Sequence, residues 1–170
     1  MLIFDRRPAS HTTIALEGRV SSGLGEGTRF MALDWVQAQC RERLGLAPWP
    51  GTFNLAMSGP RWERYRSLLQ AAPNDAAAAG PVIALSPPPG FCAANCVALC
   101  IAGTLDGYAI VPLLDDYPDD KLEIIAAQPI RSALGLADGD RVTLTMPSAF
   151  QIHDAPCALC RPLPREGDRP

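Results

Sequence analysis

Three glycines at alternate positions, Gly23, Gly25 and Gly27, are the residues whose types and spacing first suggest chemistry. Before them, residues 14–20 alternate apolar and polar side chains as a strand does, and after them residues 29–33 also look more strand-like than helical. A glycine loop between two strands can adopt backbone conformations closed to other residues and turn its N–H groups toward an anion. The pattern favours a phosphate-binding loop, with a flexible hairpin turn as the alternative.

This loop does not match the usual nucleotide-binding motifs. A Walker A loop ends in Gly-Lys-Ser/Thr, whereas the single lysine of this chain is Lys121. A dinucleotide fingerprint needs its glycines to open a helix, and we expect a β-type segment here. A protein-kinase glycine loop requires HRD and DFG segments, which the sequence lacks. The positive charge that would balance a phosphate must therefore come from arginine, and Arg29 is placed to supply it.

Two polar residues at the start of a later strand could bind a metal ion. Residues 52–57 follow a turn at Pro50-Gly51 and alternate, so that Thr52 and Asn54 point to the same face. Neutral oxygens of this kind can bind Mg²⁺ beside nucleotide phosphates, because magnesium keeps several waters and needs few protein ligands. An ordinary polar strand face is the alternative interpretation.

A carboxylate inside an apolar strand is the third candidate. Glu123 lies in the apolar run 122–126, directly after the acidic loop 115–121. Such a residue is either a partnered edge residue or a member of a functional site.

Most of the elements that must position these residues are short strands. Besides the segments above, we expect strands at 13–20, 81–85, 91–102, 108–113 and 141–146, and helices at 34–44, 60–69 and 129–134. The strands 91–102 and 108–113 should form a hairpin. Many short strands with few helices predict a mainly β fold, a small closed β-barrel of about six strands with two or three short peripheral helices.

Composition limits the class of protein. A chain of 170 residues with net charge −3 fits one domain and has no global attraction to nucleic acid or anionic membrane. No signal-peptide core is visible and the longest apolar run, 91–102, is too short to span a bilayer, so we expect a cytoplasmic protein with reduced cysteines. We divide it into an N-terminal lead-in (1–12), a barrel domain (13–146) with a low-complexity insertion at 71–80, and a partly disordered tail (147–170).

Cysteines offer a second, weaker metal hypothesis. Cys92, Cys96 and Cys100 lie too far apart along one strand to share a metal, so we expect them to pack as small apolar residues. In the tail, His153, Cys157 and Cys160 have usable zinc-ligand spacing but no obvious fourth ligand nearby.

Four groups of residues, in the same order along the chain, resemble the archaeal-type CTP-dependent riboflavin kinase family. They are Gly18-Arg19-Val20 with Ser22-Gly23-Leu24-Gly25-Glu26-Gly27; Pro50-Gly51-Thr52-Phe53-Asn54-Leu55; Leu122-Glu123-Ile124-Ile125-Ala126 with Ile130-Arg131; and Leu134-Gly135-Leu136 with Asp138-Gly139-Asp140. The resemblance covers roughly residues 13–146. It implies a cradle-loop β-barrel that transfers the γ-phosphoryl of CTP to the 5′-hydroxyl of riboflavin, giving FMN and CDP.

The resemblance also implies roles for single residues. The family's nucleotide-binding positions fall on Leu24, Gly25, Glu26, Gly27, Thr28 and Arg29, and on Gln128, Pro129, Ile130 and Arg131. Its magnesium ligands fall on Thr52 and Asn54. Its flavin-contacting glutamate falls on Glu123, which could also accept the hydroxyl proton.

Two positions depart from the family pattern. Asp116 stands where the family usually has a flavin-contacting threonine, and an ionised carboxylate accepts hydrogen bonds but cannot donate one. Pro129 brings no backbone donor to the second nucleotide-binding segment. A non-catalytic flavin- or nucleotide-binding regulatory barrel is therefore the alternative to the kinase, and a structural or protein-binding barrel is the third hypothesis.

Overall fold

Seven antiparallel strands form one sheet in the structure, a computed structural model that describes residues 13–23, 25–71 and 82–148. The strands are β1 (Thr13–Ser21), β2 (Phe53–Met57), β3 (Val82–Leu85), β4 (Ala94–Ile101), β5 (Leu105–Pro112), β6 (Lys121–Ile125) and β7 (Arg141–Pro147). Their order is β3-β4-β5-β6-β2-β1-β7, and β7 also pairs with β4. That pairing closes six strands into a barrel and leaves β3 outside, attached to β4. The predicted barrel of about six strands is confirmed.

Short helices connect the strands. They are α1 (Glu26–Met31), α2 (Asp34–Gln39), which runs on into a π-helical turn at Cys40–Leu44, α3 (Pro60–Ala71) and α4 (Ile130–Leu134). The helices expected at 34–44, 60–69 and 129–134 are confirmed, and β4 and β5 form the expected hairpin. The π-helical turn and α4 each end at a glycine in the left-handed conformation, Gly45 and Gly135, which is a common helix stop.

The strand expected at residues 29–33 is wrong, because this segment begins as helix α1. Gly25 takes a left-handed conformation (φ 80°) and turns the chain directly into the helix. The helix then carries Met31 into a buried cluster with Val36 and Cys40, so tertiary packing overrides a weak local preference. The glycines therefore do open a helix. The dinucleotide fold stays excluded, since every strand pair in the described sheet is antiparallel.

Alternating residues of the strands fill the barrel interior. Contributors from the strands around the candidate site are Leu16, Val20, Phe53, Leu55, Leu122, Ile124, Val142 and Leu144. Helix α3 adds Trp62, Tyr65 and Leu69 to the same cluster. Each large apolar side chain buried in this way contributes about 1.5–3 kcal/mol. This packing fixes which face of β2 and β6 points outward.

A second apolar cluster lies outside the barrel. Cys96, Ile110 and Ile125 on the outer strand face pack against Met31, Val36, Cys40 and Leu44 from the segment that contains α1, α2 and the π-helical turn. The Tyr108 hydroxyl donates to the Leu44 carbonyl at 2.9 Å, and Arg43 Nη1 donates to the Ala84 carbonyl at 2.7 Å. These contacts hold the helical segment over β4, β5 and β6, and so bring the glycine loop over the adjoining strands.

Some predictions fall outside the described residues. These are the lead-in 1–12, Leu24, residues 72–80 of the insertion, and the tail beyond residue 148 with its His153, Cys157 and Cys160. The domain limits 13–146 stay a prediction. Within the described ranges, no helix is both long and apolar enough to cross a membrane.

Candidate active site

Three neighbouring strands bring together residues that are far apart in the sequence. In the antiparallel register, Ser21 of β1 pairs with Asn54 of β2, and Asn54 pairs with Glu123 of β6. Paired residues share a face, so Asn54 and Glu123 both point out of the barrel. Thr52 lies just before β2 on the same face, and its hydroxyl donates a hydrogen bond to Glu123 Oε1 at 3.1 Å. The predicted metal pair and the predicted carboxylate therefore form one cluster.

The glycine loop lies directly on this cluster. A Cβ atom added to Gly27 would lie 2.2 Å from Thr52 Oγ1, and one added to Gly23 would lie 2.7 Å from Asn54 Nδ2. No real side chain tolerates such contacts, so only glycine lets the backbone approach this closely. Main-chain groups of the loop and the polar side chains of β2 consequently face the same space.

Asn54 carries a buried acceptor that no described residue satisfies. The residue is 7% exposed, and its Nδ2 donates to the Thr52 carbonyl at 3.3 Å. Its Oδ1 accepts no hydrogen bond from any described residue. An unsatisfied buried polar atom costs about 1–3 kcal/mol, and a bound cation or a ligand donor would relieve that cost.

This donor set fits a magnesium ion. The Thr52 hydroxyl donates a hydrogen bond to Glu123, which leaves the lone pairs of its oxygen free, and Asn54 Oδ1 has no partner among the described residues. Among the described residues, no group of three or more His, Cys, Asp or Glu side chains comes together to hold a metal. An ion here would rely on two neutral protein oxygens, with water and phosphate oxygens supplying the rest, which is the coordination that magnesium tolerates.

Glu123 is held by three donors. Oε1 accepts from Thr52 and lies 3.3 Å from Lys121 Nζ, while Oε2 accepts a hydrogen bond from the Tyr117 hydroxyl at 2.8 Å. Burial and the neighbouring Glu123 carboxylate raise the pKa of Tyr117, so its phenol stays a donor. The carboxylate is thus fixed in orientation, with part of its acceptor capacity left for a ligand.

Tyr117, Lys121 and Arg66 were missed by the sequence analysis. Arg66 Nη1 lies 2.7 Å from Asp119 Oδ1, and its Nη2 donates to the Tyr117 carbonyl at 3.0 Å, so α3 anchors the acidic loop. Lys121 could have been found, because it lies two residues before Glu123 on a strand and so shares its face. The role of Arg66 has no local signal, since its partners lie about fifty residues away in the sequence.

The second predicted nucleotide segment lies beside the beginning of the glycine loop. Arg131 Nη2 donates to the Ser21 carbonyl at 2.8 Å and to Asp138 Oδ1 at 2.6 Å. The Ser22 hydroxyl donates to Asp138 Oδ2 at 2.7 Å. The hydrogen bonds from Ser22 and from Arg131 lower the pKa of Asp138. This network ties α4 and the following turn to the end of β1.

The remaining predicted residues occupy different positions around the cluster. Ile130 is buried in the barrel core, so it can offer a ligand only its main chain. Pro129 precedes α4, and Gln128 is exposed. On and near the loop, Glu26, Thr28 and Arg29 are exposed, and Asp116 is exposed beside Tyr117.

A sequence model of one protein family matches most of this chain. The model named CTP-dep_RFKase, described as a domain of unknown function (DUF120), matches residues 20–146, from the end of β1 through β7. The chain belongs to the CTP-dependent riboflavin kinase family. The resemblance inferred from its motifs is confirmed, and the matched region contains the glycine loop, Thr52, Asn54 and Glu123.

Several curated relatives of this family member are archaeal proteins named riboflavin kinase. A protein named riboflavin kinase from Pyrobaculum arsenaticum is 36% identical over 137 residues, which are 76% of this chain and 59% of that protein. A protein of the same name from Halobacterium salinarum is 36% identical over 135 residues, which are 77% of this chain and 56% of that protein. Another, from Methanosarcina mazei, is 35% identical over 147 residues, which are 82% of this chain and 58% of that protein. The chain spans between half and two thirds of the length of these curated relatives.

Proposed function

We propose that this protein is a CTP-dependent riboflavin kinase, which moves the γ-phosphoryl of CTP to the 5′-hydroxyl of riboflavin and releases FMN and CDP. The observation that carries the proposal is Oδ1 of Asn54, which is buried beside Thr52 under a glycine loop and has no hydrogen-bond partner among the described residues. Family membership and relatives named riboflavin kinase support the same reaction.

The glycine loop and α4 would bind CTP, the phosphoryl donor. Main-chain N–H groups around Gly25 and Gly27 and the exposed guanidinium of Arg29 would contact the phosphates. Thr52 Oγ1 and Asn54 Oδ1 would hold Mg²⁺, which supplies charge neutralisation to the phosphate oxygens when bound. Residues 128–131 would contact the nucleotide through exposed Gln128 and the main chain, because Arg131 is already bonded to Ser21 and Asp138.

The acidic loop and β6 would bind riboflavin, the phosphoryl acceptor. Phosphoryl transfer passes through a loose transition state, so most of the catalysis is alignment and charge neutralisation. Glu123 has about four lone-pair sites and three protein donors, which leaves room to accept one hydrogen bond from the flavin. It lies beside the metal pair, and a riboflavin hydroxyl bound there could pass it a proton. Asp116 would accept a second flavin hydrogen bond where the family has a donor.

The experiment is to incubate the full chain with riboflavin, Mg²⁺ and each of the four nucleoside triphosphates in turn, then separate the flavins by chromatography. FMN formed with CTP, and little with the other three, is the expected result. Asp116 and Pro129 favour a second candidate, a regulatory barrel that binds flavin or nucleotide without turnover. Ligand-induced thermal stabilisation with no FMN from any donor would establish that candidate instead.

A further inference from the structure

Lys121 is the one lysine of the chain, and it is bound to the site carboxylate. Its Nζ lies 3.3 Å from Glu123 Oε1 and 5.6 Å from the centre of the Tyr117 ring. Its strand partner on β2 is Ala56, which has a small side chain and is exposed. About a third of the lysine side chain is exposed. Glu123 therefore holds the ammonium group on one side, while part of the lysine side chain remains exposed to solvent.

The neighbouring arginines are already engaged. Arg131 bonds Asp138 and the Ser21 carbonyl, and Arg66 bonds Asp119 and the Tyr117 carbonyl. An ammonium group has three N–H donors, and among the described residues Glu123 is the acceptor that Lys121 contacts. Two donors and the positive charge remain for a ligand. Among the cationic side chains that the structure describes, Lys121 is the one whose charged group is paired directly with Glu123.

Its position places Lys121 on the acceptor side of the cluster. Glu123 Oε1 is shared by Thr52, which lies under Gly27, and by Lys121, which lies against Tyr117 and hence next to Asp116. If the glycine loop binds the phosphates of CTP, those phosphates would lie on the Thr52 side of Glu123. The phosphoryl group transferred to riboflavin would then end on the side of Glu123 where Lys121 lies.

We propose that Lys121 binds the monoester phosphate of the product, so that the acceptor subsite distinguishes FMN from riboflavin by charge. This inference rests on the proposed function. A phosphate monoester carries about −1.5 to −2 charges at pH 7, whereas the ribityl hydroxyl that it replaces is neutral. An ammonium held in place by Glu123 gives such a phosphate a charge-assisted hydrogen bond at little cost in side-chain ordering.

The test compares equilibrium binding of riboflavin and FMN, followed by flavin fluorescence, in the full chain and three variants. Lys121→Met removes the ammonium group and Lys121→Arg keeps a positive charge. Arg141→Met removes an equal charge from the exposed pair with Glu17, outside the cluster. For Lys121→Met we expect FMN affinity to fall about tenfold with riboflavin affinity unchanged. Lys121→Arg should recover most of the loss, and Arg141→Met should match the wild type.

Equal losses for both flavins in Lys121→Met would mean a structural role through Glu123 and would overturn the proposal, as would no loss for either. Failure of the proposed function is separate, because it corresponds to flavin binding without FMN formation from any nucleotide. A wild type that binds neither flavin would overturn both proposals.

Amine labelling gives a second readout that needs no variant. Because Lys121 is the single lysine, acetylation detected by mass spectrometry reports on one side chain besides the amino terminus. FMN at saturating concentration should slow acetylation of Lys121 about tenfold or more, and riboflavin should slow it much less. Equal protection by the two flavins would contradict the proposal.

Discussion

Gly27 lies so close to Thr52 that a methyl group on the glycine would come within 2.2 Å of the threonine hydroxyl oxygen. This contact joins the glycine loop to the strand that carries the metal-ligand candidates. It also explains why an alanine is unsuitable at a helical position where alanine would otherwise be preferred.

Replacing Gly27 by Ala tests that contact. Elsewhere in a helix, Gly→Ala stabilises by roughly 0.5–1 kcal/mol, but here we expect destabilisation of about 1–3 kcal/mol because the new methyl group overlaps Thr52. The free energy of unfolding in urea is the measurement. The Gly27→Ala/Thr52→Ala double variant removes the overlapping oxygen and should regain most of the loss without regaining activity. A stabilised Gly27→Ala single variant would show that the loop does not lie on Thr52.

Replacing Asn54 by Ala tests the metal assignment. Oδ1 has no partner among the described residues, so the variant loses one hydrogen bond, from Nδ2 to the Thr52 carbonyl, worth about 0.5–1.5 kcal/mol, and also removes an unsatisfied acceptor that costs about 1–3 kcal/mol. The two changes oppose each other, so we expect no large loss of stability. We expect FMN formation to fall about 100-fold or more, because a metal ligand is lost. Asn54→Asp, which keeps an oxygen at this position, should retain activity and need less Mg²⁺ for half-maximal rate. Wild-type rates in Asn54→Ala would remove the assignment.

Arg66 supports the loop that carries Asp116 and Tyr117. Arg66→Met loses the contacts to Asp119 and to the Tyr117 carbonyl, and should raise KM for riboflavin about tenfold with KM for CTP unchanged. Arg64→Met, on an exposed position of the same helix, is the matched control. Equal rises in the two KM values of Arg66→Met would indicate general loosening of the barrel instead.

Cys40 gives the fold a pH dependence. Burial raises the pKa of this thiol from 9.0 to about 11, with Arg41 opposing the shift. The folded state therefore keeps a proton that the unfolded state releases above pH 9, so this contribution is complete below pH 9 and is lost as pH rises toward 11. Unfolding free energies should fall over this range, and less steeply in Cys40→Val than in the wild type. Equal slopes for the two proteins would contradict this account.

Sequence patterns predicted the barrel because β1, β2 and β7 alternate clearly, and motif order predicted the family. They failed at residues 29–33, where the short stretch around Phe30 has no strong local preference and Met31 is drawn into a cluster formed by distant strands.

Several residues of the candidate site could be proposed from sequence because each lies beside a recognisable signal: a glycine loop, a turn before a strand, or a carboxylate in an apolar run. Their proximity depends on strand register, because Ser21 pairs with Asn54 across β1 and β2, and Asn54 pairs with Glu123 across β2 and β6. Arg66 and Tyr117 became visible only with the tertiary structure, because their contacts connect α3, the acidic loop and β6.

We propose that Asn54 Oδ1 and Thr52 Oγ1 hold a divalent cation beside the nucleotide phosphates. Binding of Mn²⁺ to the full chain in the presence of CDP, followed by electron paramagnetic resonance, tests this most directly. The account predicts one bound ion in the wild type and a loss of affinity of at least about tenfold in Asn54→Ala, with CDP still bound. Equal Mn²⁺ affinity in the two proteins would contradict it.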